Sequence, residues 1–117
     1  CWIGPFTILD GAAFPIKIGD WTSIGAGTHV YTHHTIDQAL SGGKFAAQTA
    51  KVIIGKYCFI APQVMIAPGT KIADFCFVTA QSYVEGSYPS NSIISGNPAK
   101  VVGKIEICDH MVKKIFW

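Results

Sequence analysis

Arginine is the most conspicuous absence from this sequence of 117 residues, in which all nine cationic side chains are lysine. Without guanidinium groups the chain has no bidentate recognition of phosphate or carboxylate, so a phosphate site must use lysine charges and backbone N–H groups. The net charge of +2 is also too small for the dense basic surface of a nucleic-acid-binding protein. We therefore expect no nucleic-acid partner.

Long apolar runs are missing as well. No stretch approaches the roughly 18 residues that a membrane-spanning helix requires, and the segment that starts at Cys1 shows no signal-peptide pattern. The four cysteines form no CxxC pair and no zinc-binding spacing. We therefore expect no membrane span, reduced thiols and a cytoplasmic location.

Charged residues are scarce for so short a chain. They make up 14% of the sequence, whereas hydrophobic residues make up 50%. The length fits one domain, and so thin a charged shell implies that part of the surface is covered by another molecule. A homo-oligomer is the natural interpretation.

What the sequence has instead is a six-residue repeat. Aliphatic side chains recur every six residues, at Ile3 and Leu9, at Ile18, Ile24 and Val30, and at Ile54, Ile60, Ile66, Ile72, Val78 and Val84. A small or thin side chain follows four residues after most of them. This period does not match the face of an α-helix, but it fits a solenoid whose coils contain three short strands. We predict a parallel β-helix in which residues 18 apart stack: Ile54 over Ile72, Ile60 over Val78, Cys58 over Cys76, and Phe59 over Phe77.

Three segments interrupt the repeat. Residues 11–15 add a bulged corner, and residues 32–51 form a polar loop, which is either functional or a tolerated insertion. The tail 105–117 spaces its apolar residues like one face of a helix. We predict a β-helix domain over residues 1–104 and a short C-terminal helix over 105–117.

Residues 8–11 (ILDG), 30–37 (VYTHHTID) and 96–100 (GNPAK) resemble the hexapeptide-repeat acyltransferase family, in particular the O-acetyltransferases of sugars and lipopolysaccharides. The resemblance implies an all-β, left-handed parallel β-helix and a homotrimer with active sites between subunits. It also implies acetyl-CoA as donor, no metal, and a hydroxyl acceptor on a polysaccharide, lipopolysaccharide or nucleotide sugar.

Acetyl transfer to a hydroxyl needs a general base, and a neutral imidazole suits that role. His33 and His34 are both candidates, because one alignment with sugar acetyltransferases favours His33 and another favours His34. In an extended strand the two side chains point to opposite sides. We expect direct attack in a ternary complex, since no activated serine or cysteine is evident.

The resemblance assigns Asp10, Trp2 and Asp37 to the acceptor. A carboxylate accepts paired sugar hydroxyls well, although Asp10 before a glycine is equally typical of a turn. Trp2 stands where galactoside- and maltose-type relatives carry asparagine, which favours an acceptor in a polysaccharide or lipopolysaccharide over a simple hexose.

The resemblance assigns another set of residues to the CoA molecule. Phe59 lies where relatives place an aromatic ring against pantetheine, although it also fits simple packing on Phe77. Ala61 and Ala80 leave the backbone open to the pantetheine amides. Lys100 and Lys104, which follow Pro98, are either CoA-phosphate ligands or solvated lysines.

Other interpretations remain open at this point. Amino-sugar N-acetyltransferases share the solenoid and the histidine base, so the acceptor is either an alcohol or an amine. His29 and His34 have the H-x₄-H spacing of a γ-class carbonic anhydrase, which needs a third histidine ligand for zinc. A trimeric scaffold without catalytic activity is a further alternative.

Overall fold

The computed structural model describes residues 1–117 as a β-helix of short strands with one five-residue helix. In chain order the elements are β1 (Trp2–Ile3), β2 (Ile8–Asp10), β3 (Ile16–Ile18), β4 (Ser23–Ile24), β5 (His29–Tyr31), β6 (His33–His34), α1 (Ile36–Leu40), β7 (Gln48–Thr49), β8 (Val52–Ile54), β9 (Phe59–Ile60), β10 (Met65–Ile66), β11 (Lys71–Ile72), β12 (Phe77–Val78), β13 (Tyr83–Val84), β14 (Ser87–Tyr88), β15 (Ser92–Gly96), β16 (Ala99–Ile107) and β17 (Val112–Phe116). No helix is long and apolar enough to cross a membrane.

The strands form the three faces of a prism. Face A contains β1, β4, β9, β12 and β15, face B contains β2, β5, β10 and β13, and face C contains β3, β8, β11 and β14. Each coil of the chain visits A, B and C in turn, and strands of the same face pair in parallel. We name the three edges after the faces they join: the A/B edge, the B/C edge and the C/A edge.

The predicted stacking is confirmed. Ile54 pairs with Ile72, and Phe59 and Ile60 pair with Phe77 and Val78. The six-residue positions point inward and fill the prism, with Ile24, Val30, Ile54, Ile60, Ile66, Ile72, Val78 and Val84 all at most 1% exposed. Ile3 and Leu9 have the same phase but are 46% and 39% exposed, because the first coil has a neighbouring coil on one side only.

The thin side chains four residues later bind one coil to the next. The hydroxyl groups of Thr22 and Thr28 donate to the carbonyl oxygens of Gly55 and Ala61, at 2.7 and 3.0 Å. Coils also approach closely at these corners: a Cβ atom on Gly19 would lie 2.6 Å from the backbone carbonyl carbon of Gly55. A larger residue at either kind of position would push neighbouring coils apart.

The C-terminal tail is a β-strand, and the prediction of a helix over residues 105–117 was wrong. Strand β16 turns back along β15 in antiparallel pairing, and β17 pairs antiparallel with β16, from Gly103 opposite Phe116 to Ile107 opposite Val112. The predicted domain boundary therefore falls inside β16. Strand β15, the last of face A, has an edge whose backbone groups need hydrogen-bond partners. Pairing with this edge favours an extended tail over the helix that the spacing of apolar residues indicated.

The two interruptions of the repeat lie where they were predicted. Residues 11–15 form an exposed bend between β2 and β3. The loop over residues 32–51 leaves the prism after β5 at the B/C edge, forms the antiparallel pair β6–β7 around α1, and returns at β8. The loop therefore stands against the end of face B.

Cys58 and Cys76 occupy equivalent inward positions in successive coils. Both are 2% exposed, and their thiols donate to the carbonyl oxygens of Ala73 and Pro89, each at 3.2 Å. Hydrogen bonding to Cys76 lowers the pKa of the Cys58 thiol to about 7, and hydrogen bonding to Cys58 together with burial raises the pKa of Cys76 above its ordinary value. Cys1 and Cys108 are exposed.

Ellman's reagent at pH 8 should therefore titrate two thiols rapidly in the folded protein and four after unfolding in guanidinium chloride, because burial protects Cys58 even where its thiolate is available. Cys1→Ser with Cys108→Ser should leave no fast-reacting thiol. A third fast thiol in the native protein would show that the prism opens at this coil.

Candidate active site

The B/C edge holds a cleft of about 470 Å³ between the end of face B and the loop. Its lining consists of Asp10, Tyr31, His33, His34, Thr35, Ile36 and Ala39. Parallel pairing of β2 with β5 sets Asp10 beside Tyr31. The Thr32 hydroxyl donates to the Asp10 carbonyl oxygen at 2.9 Å, which ties the start of the loop to the first coil.

His33 faces Asp10 across this cleft. Its Nδ1 atom is shielded from solvent, has no hydrogen-bond partner, and lies 3.7 Å from Asp10 Oδ2. Since the His33 side chain as a whole is 37% exposed, the accessible edge of the ring carries Nε2. A carboxylate beside Nδ1 favours the tautomer with its proton on Nδ1, which leaves the Nε2 lone pair free to accept a proton.

Asp10 performs two roles at once. Its Oδ1 atom accepts a hydrogen bond from the Ala12 backbone N–H at 3.3 Å, as expected of a turn residue, while its Oδ2 atom faces His33. The turn interpretation is confirmed, and the turn holds the carboxylate in place. The contact of Asp10 with acceptor hydroxyls stays a prediction.

His34 has the opposite hydrogen bonding. Its Nδ1 atom accepts from the Ile36 backbone N–H at 3.5 Å, at the start of α1. A neutral His34 that accepts at Nδ1 carries its proton on Nε2 and is therefore a donor to the cleft. This difference favours His33 over His34 as a base.

Tyr31 lines the cleft, and the sequence reasoning missed it. Its hydroxyl lies 3.1 Å from His29 Nδ1, and the two rings meet edge to face at 5.9 Å. The signal was available, because Tyr31 alternates with the inward residues Val30 and Thr32 and must point outward beside Asp10. Ile36 and Ala39, three residues apart on α1, give the cleft an apolar wall.

Two of the predicted acceptor residues lie elsewhere. Asp37 is exposed on α1 and does not line the cleft, and Trp2 lies on face A, 58% exposed. His29 is occupied by Tyr31, and no three His, Cys, Asp or Glu side chains are grouped so that they could hold a metal ion.

Three of the six residues predicted to bind CoA lie on the other side of face B. Ala61, Ala80 and Pro98 follow the face-A strands β9, β12 and β15 and so lie along the A/B edge. Phe59 points outward on face A, where its ring packs edge to face on Phe77 at 5.7 Å and remains 47% exposed. The predicted packing on Phe77 is confirmed.

Lys100 and Lys104 do not share a surface. They pair with Ser95 and Ser92, which are three residues apart on β15 and therefore point to opposite sides of the sheet. Lys104 also forms an ion pair with Glu106 at 3.1 Å, whereas Lys100 has no acidic partner. A phosphate at Lys104 would compete with Glu106, so Lys100 is the less encumbered of the two, and the phosphate role of both lysines stays a prediction.

Known proteins with similar sequences are acetyltransferases by name. The chain is 32% identical over 104 residues to the colanic acid biosynthesis acetyltransferase WcaF of Escherichia coli, covering 74% of this chain and 57% of WcaF. It is 39% identical over 57 residues to the lipopolysaccharide biosynthesis O-acetyl transferase WbbJ of the same species, covering 49% of this chain and 29% of WbbJ. No protein-family profile matches the chain.

Solved structures with a similar fold are also acetyltransferases or acyltransferases by name. A maltose O-acetyltransferase from Clostridium difficile superposes with a TM-score of 0.73 at 31% identity, over 90% of this chain and 59% of that one. The hexapeptide-repeat acetyltransferase VCA0836 from Vibrio cholerae, complexed with acetyl-CoA, gives 0.70 at 28%, over 87% and 58%. The N-acyltransferase AntD from Bacillus cereus, complexed with dTDP and CoA, gives 0.77 at 28%, over 87% and 59%.

Repeat, fold and similarities together identify the chain as a member of the hexapeptide-repeat acyltransferase family, with the left-handed parallel β-helix fold. The matched part of the chain spans between 29% and 59% of the length of these relatives.

The tautomers of the two histidines can be tested directly. We expect long-range ¹H–¹⁵N spectra at pH 8 to report a proton on Nδ1 for neutral His33 and on Nε2 for neutral His34. Asp10→Ala should move the His33 proton to Nε2 and leave the His34 signals in place. An Nε2 proton on His33 in the unaltered protein would contradict the Asp10–His33 pairing.

Proposed function

We propose that this protein transfers an acetyl group from acetyl-CoA to a hydroxyl of a polysaccharide or lipopolysaccharide sugar, with His33 as general base. The observation that carries the proposal is the imidazole held beside a carboxylate in an open cleft, with Nδ1 shielded and Nε2 accessible. The names of WcaF and WbbJ support the sugar class. Because the donor is an intracellular metabolite, we infer a cytoplasmic location.

The chemistry needs only one base. Nε2 of His33 removes the proton from the acceptor hydroxyl as its oxygen attacks the thioester carbonyl carbon. The tetrahedral intermediate collapses, the C–S bond breaks, and the imidazolium returns its proton to the CoA thiolate. The Asp10 carboxylate stabilises the imidazolium that exists between these two transfers.

The donor would lie along the A/B edge. Ala61 and Ala80 leave room for the pantetheine arm, Phe59 offers it an exposed ring, and Lys100 provides a cation for a phosphate. The acetyl-CoA complex of VCA0836 and the CoA complex of AntD support a CoA site on this fold.

Within one chain, the width of face B separates the proposed CoA site at the A/B edge from the cleft with His33 at the B/C edge. Its strands are up to three residues long, or roughly 10 Å, before the corners are added, whereas reacting atoms must approach to about 3–3.5 Å. We therefore propose that the A/B edge of one copy meets the B/C cleft of the next. A homotrimer closes such a head-to-tail contact.

An amine acceptor is the second candidate, because AntD is an N-acyltransferase with a closely superposing fold. An amino group that is neutral at the working pH attacks a thioester with less help from a base than a hydroxyl requires. Including amino sugars beside neutral glycans in the assay therefore decides between the two reactions.

His33→Ala should lower kcat for acetyl transfer by about 10²–10⁴-fold, the usual contribution of a general base. Activity would be measured by mass spectrometry as the gain of one acetyl group on nucleotide sugars, amino sugars and bacterial surface glycans. His34→Ala is the matched control, and we expect it to reduce kcat far less because the Nδ1 contact with the Ile36 N–H favours the tautomer with its proton on Nε2.

Equal losses of kcat in His33→Ala and His34→Ala would show that the assignment of His33 as the general base is wrong. If the unaltered protein gives no product on any acceptor and no heat of CoA binding by calorimetry, the acetyltransferase proposal itself is wrong.

A mixing experiment tests the shared site. Ala80→Trp should block the CoA edge of its own copy and leave His33 intact, while His33→Ala has the converse defect. Neither should be active alone, but oligomers reassembled from equal amounts should recover about a quarter of the sites, those that combine two unaltered halves. A mixture that stays inactive although the copies have exchanged would mean that each chain carries a complete site.

A further inference from the structure

Aromatic residues occupy one corner position in successive coils at the C/A edge. Trp21, Tyr57 and Phe75 have φ angles of +60°, +58° and +60°, in the left-handed region, and Asn91 has +60° at the same corner of the next coil. Tyr57 and Phe75 stack in parallel with their centroids 5.0 Å apart. Asparagine or glycine suits this backbone conformation better than a bulky side chain does.

Burial does not offset this unfavourable backbone. Trp21 is 79% exposed and Tyr57 is 51% exposed, so these rings contribute little to the core. Corner residues of the A/B edge, Phe6, Gln63 and Gln81, have φ angles of +59° to +61° as well, so the left-handed corner belongs to the coil geometry. What marks the C/A edge is the run of aromatic side chains in successive coils, of which Trp21 and Tyr57 are exposed.

Trp21 and Tyr57 line a pocket of about 550 Å³ together with Trp2, Asp20 and Ser23. The carboxylate of Asp20 forms no hydrogen bond and no ion pair within the chain, and it stands beside two indole rings. We call this site the tryptophan pocket. It is distinct from the cleft at the B/C edge and shares no residue with it.

This combination suits a sugar ring. The C–H face of a pyranose packs on aromatic faces, and a free carboxylate accepts two neighbouring hydroxyls. Among the side chains that line the pocket, Asp20 carries the only charge, and a negative charge disfavours a nucleotide or another phosphate-bearing ligand. An acyl chain would have to desolvate that carboxylate without a partner.

We propose that the tryptophan pocket binds a sugar residue of an extended glycan, remote from the residue that is acetylated. This inference rests on the proposed function in one respect, because the bound glycan is taken to be the acceptor for acetyl transfer. The acceptor is then an oligosaccharide instead of a free sugar. It also gives Trp2, which lies away from Asp10, a place in acceptor binding.

The test is glycan binding without acetyl-CoA. The unaltered chain, Trp21→Asn and Phe6→Asn would be applied to a printed array of O-antigen and exopolysaccharide fragments of one to six sugars, and the hexasaccharide bound most strongly would be titrated by tryptophan fluorescence. Phe6→Asn is the matched control, since Phe6 is an exposed aromatic residue with the same left-handed backbone, at the A/B edge, and does not line the pocket.

We expect binding that strengthens with fragment length, a loss of at least tenfold in affinity for Trp21→Asn, and little change for Phe6→Asn. Both variants should melt at a higher temperature than the unaltered chain because asparagine relieves the left-handed backbone, so a loss of binding cannot reflect unfolding. Asp20→Asn should weaken binding by removing the acceptor charge.

Two outcomes would overturn the inference. One is the absence of length-dependent binding on the array, or an equal loss in the two aromatic variants. The other is that Trp21→Asn dissociates the oligomer in sedimentation velocity while binding no less glycan, which would make the pocket a contact between copies. If the unaltered chain binds the hexasaccharide but transfers no acetyl group from acetyl-CoA to any acceptor, the proposed function is wrong and the tryptophan pocket is retained.

Discussion

Parallel pairing between coils, at a spacing of 18 residues, is the constraint on which this molecule depends. Backbone bonds such as Ala61 N–H to the Val78 carbonyl, at 3.0 Å, repeat from coil to coil and leave no freedom in the position of any corner. Inward positions must accept one aliphatic side chain each, and Thr22, Thr28 and their equivalents must be small enough to bond across coils. Because a shift of one residue would turn every inward side chain outward, the register is strongly specified.

The candidate active site inherits its geometry from this register. Pairing of β2 with β5 fixes Asp10 beside Tyr31 before the loop begins, and Thr32 then bonds to both sides of the junction, donating to the Asp10 carbonyl and accepting from the Phe14 N–H at 3.3 Å. His33 is the next residue, so the imidazole needs little further positioning to reach the carboxylate. The Asp10–His33 pair of the proposed mechanism thus stands on a rigid coil although one of its members belongs to a loop.

The sequence could predict what the repeat determines. A six-residue period in aliphatic side chains specifies the coils, the core and the stacked pairs, because each depends on a local rule applied repeatedly.

The tail could not be predicted in this way. An open strand edge at the end of face A offers hydrogen bonds that only a strand can use, although the apolar residues of the tail fit a helical face: Ile107, Met111, Val112, Ile115 and Phe116. The separation of Lys100 from Lys104 likewise follows from the irregular register between β15 and β16, which has no signature in the sequence. The distinction between His33 and His34 required the hydrogen-bond partners of each ring, which adjacent positions in a sequence do not reveal.

The outward side chains of the three faces differ in polarity, and this difference bears on how copies of the chain would assemble. Face C presents Lys17, Lys71 and Ser87 to solvent, whereas faces A and B present the large side chains Trp2, Phe59 and Phe77, and Ile8, Met65 and Tyr83. Contacts between copies through faces A and B would cover the apolar surface that the low charge content implies and leave the lysines of face C hydrated. Such contacts would also join the A/B edge, with the proposed CoA site, to the B/C cleft of a neighbour. The tryptophan pocket lies at the C/A edge and includes Trp2 of face A, so a contact on face A would have to leave the first coil uncovered for a long acceptor to enter.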